Sequence, residues 1–255
     1  MTRRRWIADE VDGDTAALVG DHALHLTRVL RASIGQEFDI ATGTSVRRGT
    51  IRSISDDRVE FTLGETQPVA AEPDLTLVLA IFKFDRMEWA IEKCTEIGVT
   101  RIIPVIARRT DSHLAGAAAK RRERWQRLAL QASEQSRRPV PPEIAAPIKL
   151  KDLGSDGDSP AVGRASLRQA QGRLPPAQSL KIVLAESENE TQLRDLIHSR
   201  SSTVTLAVGP EGGWAPDELQ WFCDNGWTSA SLGDTILRAE TAAIVATALA
   251  LNALR

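Results

Sequence analysis

The run LTLVLAIF at residues 75–82 constrains this chain more than any other stretch. It carries no charge, as expected of a strand buried on both faces of a sheet. Behind it, strand-like and helix-like patterns alternate to the last residues. Residues 85–98 read as an amphipathic helix ending at a glycine, Gly98, and residues 101–106 as the next strand. A long basic helix follows at residues 117–135. Strands at residues 180–185 and 203–208 enclose a helix from about Thr191. A helix at residues 216–225, a short strand at 229–232 and an apolar helix at 239–253 complete the series. Such alternation specifies an α/β domain with a mostly parallel sheet.

The preceding segment follows another rule. Runs at residues 37–41, 45–54 and 58–63 mix β-branched and polar residues. The turn signals Ile34-Gly35, Thr42-Gly43-Thr44 and Asp56-Asp57 separate them. One helix is expected at residues 20–32, with Asp21 as N-cap and Leu24, Val29 and Leu30 on one face. Residues 67–74, with Pro68 and Pro73, read as a linker. The expected division is a small barrel-like domain at residues 1–72 and an α/β domain at 73–255. Residues 153–178 have no periodicity and read as a mobile insertion loop.

A net charge of −2 gives no global basic field, but charge is unevenly distributed. Residues 101–138 hold ten Arg and Lys against three acids, a local net of +7. Such a patch attracts an anionic partner, or simply solvates a helix face. Cys94 and Cys223 belong to no CxxC pair, so neither a structural disulfide nor a zinc site is expected, and both read as buried thiols. No secretory h-region opens the chain and no apolar stretch approaches a membrane span. The expected compartment is the cytoplasm.

Chemistry concentrates in AVGPEGGWAPDE, residues 207–218. Its glycines allow the backbone to approach a ligand closely or to take positive φ. No GxGxxG follows the first strand of the α/β domain, and GxxxxGK[ST] is absent from the chain. Glu211, in the middle of the loop, has the wrong charge for a phosphate neighbour. It suits a cationic ligand such as S-adenosylmethionine, which carries a sulfonium and an ammonium but no phosphate. Alternatively, Glu211 complements the N-terminus of the following helix.

A second cluster, SLGDTILRAETAA, spans residues 231–243. Its turn offers backbone groups to an adenine edge, and Arg238 can hold a phosphate or a uracil oxygen. Glu240 is placed either for chemistry or for an ion pair with Arg238.

These two clusters together resemble the RsmE family, the small-subunit ribosomal RNA uridine-N3 methyltransferases of the SPOUT superfamily. HLTRVLR (residues 25–31), FKFDRMEWAIEKCTEIGVTRIIPV (82–105) and RWQRLALQASEQSRRPVPPEI (124–144) resemble further segments of that family, in the same order. The insertion at residues 153–178 is longer than the family pattern needs.

The resemblance implies a PUA-like β-barrel for RNA binding, followed by an α/β domain with a deep trefoil knot. General topology rules would not suggest a knot. It implies a homodimer, with the C-terminal helix serving knot and interface. The implied substrate is N3 of a uridine near the 3′ end of 16S rRNA, in the assembled small subunit. The cofactor loops become Leu206, Val208, Gly209, Pro210, Glu211, Gly212 and Gly213, and Ser231, Leu232, Gly233, Ile236, Leu237 and Arg238. Arg238 is the first choice to stabilise a uridinate anion, with Glu240 or Glu211 as proton acceptor. Neither metal nor membrane is implied. For RNA contacts the sequence offers Arg4, Arg5, Trp6, His25, Arg28, Arg31, Arg108 and Arg109, with Arg121, Arg122, Arg124 and Arg127 on the basic helix. The competing readings are a SPOUT methyltransferase for tRNA or another rRNA nucleotide, and a ribosome-assembly protein without catalysis.

Overall fold

The computed structural model describes residues 5–43, 45–67, 73–154, 179–197 and 203–255. Arg4, Thr44, linker residues 68–72, insertion residues 155–178 and residues 198–202 therefore lie outside the described residues. The chain divides into two compact units, Met1–Ala71 with Leu130–Pro141, and Glu72–Ala129 with Pro142–Arg255.

The first unit holds β1 (Arg5–Ile7), β2 (Glu10–Asp12), β3 (Thr15–Val19), β4 (Glu37–Ala41), β5 (Val46–Ile54) and β6 (Arg58–Gln67). They form one sheet in the order β1-β4-β5-β6-β3-β2, with only β1 and β4 parallel. Two register shifts between β5 and β6 curl the sheet, because an unpaired residue bends its strand. At Gly49, on β5, a Cβ would lie 2.4 Å from Ile40, so the curled sheet tolerates no side chain there. Inside the curl, Leu18, Leu26, Ile40, Val59 and Phe61 are fully buried.

Two expectations need correction here. The helix is a short α-helix, α1 (Asp21–Leu24), continued by a π-helical turn at His25–Val29. Gly20 rather than Asp21 is its N-cap, at φ 57°. The wider π turn changes the phase of the buried face. Ala23 and Leu26 are inside, whereas Val29 is 64% exposed. Trp6 is 5% exposed and belongs to this core, so it is not a surface stacking platform.

The second unit is an α/β fold. Its strands are β7 (Asp74–Ala80), β8 (Arg101–Ile106), β9 (Glu143–Ile144), β10 (Ile148–Lys149), β11 (Ser179–Leu184), β12 (Thr203–Val208) and β13 (Thr228–Ala230). All pairings are parallel, in the order β10-β8-β7-β12-β11-β13, with β9 also on β8. Alternate residues of β7 face opposite layers. Leu75, Leu77 and Leu79 join a core with α2 (Phe84–Ile97) and α6 (Ala239–Leu254). Val78 and Ala80 join the other face, where α5 (Pro216–Asp224) contributes Phe222. The other α-helices are α3 (Ser112–Gln135), whose residues from Leu130 on belong to the first unit, and the short α4 (Leu193–Leu196).

Helix α2 stops at Gly98, whose φ of 128° favours glycine. Helix α6 lies against α2, and Thr247 Oγ1 donates to Cys94 Sγ at 3.4 Å. Burial pushes the Cys94 thiol up to about 12, so it stays protonated and inert. Cys223 is exposed, contrary to expectation: it sits on the solvent side of α5. Among the described residues, no helix is long and apolar enough to cross a membrane.

Candidate active site

In a parallel sheet, ligands gather beyond the carboxyl ends of the strands. There the loops after β11, β12 and β13 surround a cavity of about 680 Å³. The first loop brings Ala185, Glu186, Ser187 and Asn189. The second brings residues 208–214, and the third residues 230–239. Of the residues expected at a cofactor site, Val208, Gly209, Pro210, Glu211, Gly212, Gly213, Ser231, Leu232, Gly233, Ile236, Leu237 and Arg238 all line this space. Leu206 does not: it is fully buried in the core beneath the sheet, two residues before the strand ends.

The glycine loop is shaped by a few identifiable contacts. Gly213 takes φ 67°, and its N–H donates to Pro210 O at 2.8 Å, closing a tight turn. A Cβ at Gly209 would meet Trp214 backbone and ring atoms at 3.3 Å. Trp214 must stay, because it packs edge-on against Phe222 at 4.9 Å. Arg109 holds the loop from the other side. Its guanidinium donates to Gly212 O at 2.6 Å and to Trp214 O at 3.2 Å.

The acid that completes the start of α5 is Glu218, not Glu211. Glu218 is buried, and its carboxylate accepts from Ala215 N at 2.8 Å and Arg108 N at 2.7 Å. It thus joins the loop after β8 to the helix that follows the glycine loop. Replacing Glu218 by Ala is expected to destabilise the protein by about 2–3 kcal/mol, because two charge-assisted bonds are lost and buried N–H groups lose their partner. Urea denaturation checks this; a loss below about 0.5 kcal/mol, within the range of neutral surface changes, contradicts it.

Arg86 was not singled out in the sequence. It lies in the first turn of α2 and lines the cavity. One of its nitrogens, Nη1, is 3.5 Å from Glu211 Oε1 and 3.6 Å from Glu240 Oε1. Glu240 therefore pairs with Arg86 rather than with Arg238. The Glu240 side chain is only 5% exposed and it is absent from the cavity wall, whereas Glu211 is on the wall and 39% exposed. Arg238 precedes α6 as its N-cap and lines the cavity. Among the described residues it forms no ion pair, so its charge is available to a ligand. The loop after β11 was also missed; its only sequence signal was its place beyond a strand end.

The residues expected to meet RNA are differently engaged. Arg108 Nη1 is 2.5 Å from Asp217 Oδ2, and Arg109 is committed to the glycine loop. Arg124 and Arg121 both pair with Glu88, at 2.7 and 3.5 Å, and Arg121 also covers the Phe84 ring. Arg122 donates to Ile144 O. Arg121 and Arg124 thus share a single carboxylate, and Lys120 and Arg127 of the same helix are exposed. In the first unit, Arg5 donates to Arg137 O. His25, Arg28 and Arg31 are exposed, and the His25 ring stands edge-on to Trp6 at 5.7 Å. Among the described residues, no group of three His, Cys, Asp or Glu is placed to hold a metal ion.

Comparison with known proteins agrees with this geometry. A family model described as an RNA methyltransferase domain matches residues 70–251. A protein of Rickettsia conorii named ribosomal RNA small subunit methyltransferase E is 32% identical over 237 residues, covering 91% of this chain and 87% of its own. One of the same name from Mycobacterium bovis is 31% identical over 248 residues, covering 92% and 85%. Among solved structures, a ribosomal RNA small subunit methyltransferase E from Neisseria gonorrhoeae, bound to S-adenosylmethionine, matches with a TM-score of 0.77 and 28% identity over 97% of this chain and 96% of that one. A Legionella pneumophila protein in complex with S-adenosylmethionine gives 0.78 and 26% over 99% and 98%.

Proposed function

This chain belongs to the ribosomal RNA small subunit methyltransferase E family, and from that membership we propose that it methylates N3 of a uridine in 16S rRNA of the small ribosomal subunit, using S-adenosylmethionine. The observation that carries the reading is the cavity: three loops at strand ends, a glycine-rich wall and no phosphate fingerprint.

The residues present fit this cofactor. Gly209, Gly212 and Gly213 leave main-chain groups on the wall, and Glu211 offers a carboxylate to a cationic ligand. The backbone of residues 230–239 suits the edge of an adenine, and Gly233, at φ 123°, takes a conformation that other residues avoid. When bound, S-adenosylmethionine supplies a methyl carbon on a sulfonium, which leaves as a neutral thioether.

The protein must expose uridine N3, remove its proton and stabilise the charge that develops. We assign proton removal to Glu211, which shares the cavity wall with the carboxylates of Glu186 and Asp234 but is the one on the glycine loop. Arg238, which forms no ion pair among the described residues, faces the charge that spreads onto the uracil oxygens. As the bond from N3 to the methyl carbon forms, the N3 proton passes to the Glu211 carboxylate. Glu240 is an anchor rather than a reactant, because it is buried behind the wall. Water-excluded loops around the base would strengthen each of these charges.

The first unit serves as a PUA-like RNA-binding domain in this reading, presenting His25, Arg28 and Arg31. The second serves as a SPOUT domain with a trefoil knot; support comes from β12 lying between β7 and β11 while α6 returns to β7 and α2. A homodimer through α6 and α2 is supported by Leu249 and Trp89, which are 42% and 48% exposed on those helices. Cytoplasmic action follows from the substrate.

The deciding experiment transfers labelled methyl groups from S-adenosylmethionine to small subunits lacking this mark, with the product nucleoside mapped by mass spectrometry. N3-methyluridine at a single 16S site is the expected product. Transfer only to tRNA or to another nucleotide would overturn the reading. A narrower expectation concerns the loop. Gly209→Ala is expected to strain the Trp214 contact by about 1–2 kcal/mol and to weaken S-adenosylmethionine binding roughly tenfold. Titration calorimetry measures it; unchanged affinity would show that the loop absorbs the methyl group.

A further inference from the structure

Arg86 joins three segments that are distant in sequence: the start of α2, the glycine loop and the first turn of α6. A nearly buried carboxylate such as Glu240 is stable only beside a cation. Among the described residues, Arg86 is the cation paired with it. Among the described residues the second oxygen of Glu240 is buried with no hydrogen-bond partner, so its charge is supported by Arg86 and by the N-terminus of α6, in whose first turn it lies. The same Arg86 nitrogen reaches Glu211, which is on the cavity wall. Glu240 therefore fixes Arg86, and Arg86 in turn fixes Glu211.

From this arrangement we infer that Arg86 is a positioning residue for methyl transfer. Anchored on Glu240, it holds the Glu211 carboxylate in the orientation that receives the uridine N3 proton. The inference rests on the reading of the cavity given above. Both separations exceed those of a tight charge-assisted hydrogen bond, normally about 2.7–2.9 Å. The cluster is loose enough to close around a bound base, in keeping with the tightening of catalytic contacts when substrate arrives.

Arg86 could instead matter only because Glu240 needs a counter-charge, and the two roles separate experimentally. Four proteins suffice: wild type, Arg86→Ala, Arg86→Lys, and the double variant Arg86→Ala with Glu240→Gln. Each is assayed for single-turnover methyl transfer to unmethylated small subunits, for S-adenosylmethionine affinity by calorimetry, and for thermal stability. Arg86→Ala is expected to slow transfer roughly 100-fold, the scale of a misplaced reacting group, with cofactor affinity changed less than about threefold. Arg86→Lys is expected to recover at least about tenfold of that rate, because a compact ammonium still reaches a carboxylate. In the double variant the buried charge is gone, so stability is expected to return while transfer stays slow.

Recovery of the rate together with stability in the double variant overturns the proposal, because Arg86 would then only neutralise Glu240. Retention of wild-type transfer by Arg86→Ala overturns it too. If the wild type binds S-adenosylmethionine but methylates no small subunit, the functional reading fails first and takes this inference with it.

Discussion

Arg238→Ala is expected to slow methyl transfer about 100- to 1000-fold, the usual loss when a group that stabilises developing charge is removed. The same variant is expected to melt at the wild-type temperature. Arg238 makes no internal ion pair among the described residues, and its side chain does not cap α6. Its backbone carbonyl accepts from Ala242 N at 2.8 Å, a bond that alanine keeps. A rate within threefold of wild type would remove Arg238 from the mechanism. A fall in melting temperature together with the rate would instead make it a structural residue. Transfer to unmethylated small subunits and a circular-dichroism melt, on one preparation, separate these outcomes.

Trp125→Ala should have the largest effect on stability, a loss of about 3–5 kcal/mol. Among the described residues Trp125 is the largest fully buried side chain, set in the core beside α2. It meets the Phe84 ring edge-on at 6.0 Å, and Arg121 covers that ring at 4.8 Å. Removing the indole empties the centre of this stack. Trp125→Phe should cost clearly less, since most of the volume remains. Urea unfolding followed by circular dichroism gives both numbers. A loss below about 1 kcal/mol for the alanine variant would mean that the surrounding core collapses into the space.

Much of the second unit was legible because strands buried on both faces write themselves as apolar runs. The strands Arg101–Ile106 and Thr203–Val208 have the bounds expected of them, each with one residue before its apolar run begins. The glycine loop was legible for a similar reason: few chains place three glycines and two prolines after a strand without a use for them. The first unit was harder to read. Its strands β1 to β3 are three to five residues long, too short for alternation to stand out. The π turn at His25–Val29 shifts a helical face by one residue, and no propensity rule marks that shift.

Partners across long separations were the other blind spot. For Glu240 the sequence offered chemistry or an ion pair with its near neighbour Arg238, yet it pairs with Arg86 from another helix. Arg108 and Arg109 looked like free cations because Asp217 and the Gly212 carbonyl are more than a hundred residues away. Charge counts describe a sequence, whereas availability depends on who sits beside each charge. Among the described residues Arg28 and Arg31 are exposed and in no ion pair, whereas Arg121 and Arg124 of the basic helix share Glu88.

The pairing of β7 with β12 also sets a timetable for the newborn chain. Asp74 must find Thr203, so the middle of the sheet closes only after most of the polypeptide has been synthesised. The first sheet, by contrast, draws all its strands from Arg5–Gln67 and can assemble early. Sheets that depend on distant partners form slowly, and unpaired strands invite aggregation meanwhile. The waiting strand here is the apolar run of residues 75–82, the stickiest part of the molecule. Premature termination between β11 and β12 would release a chain that has every strand of the curled N-terminal sheet and whose β7 has no neighbour on one side.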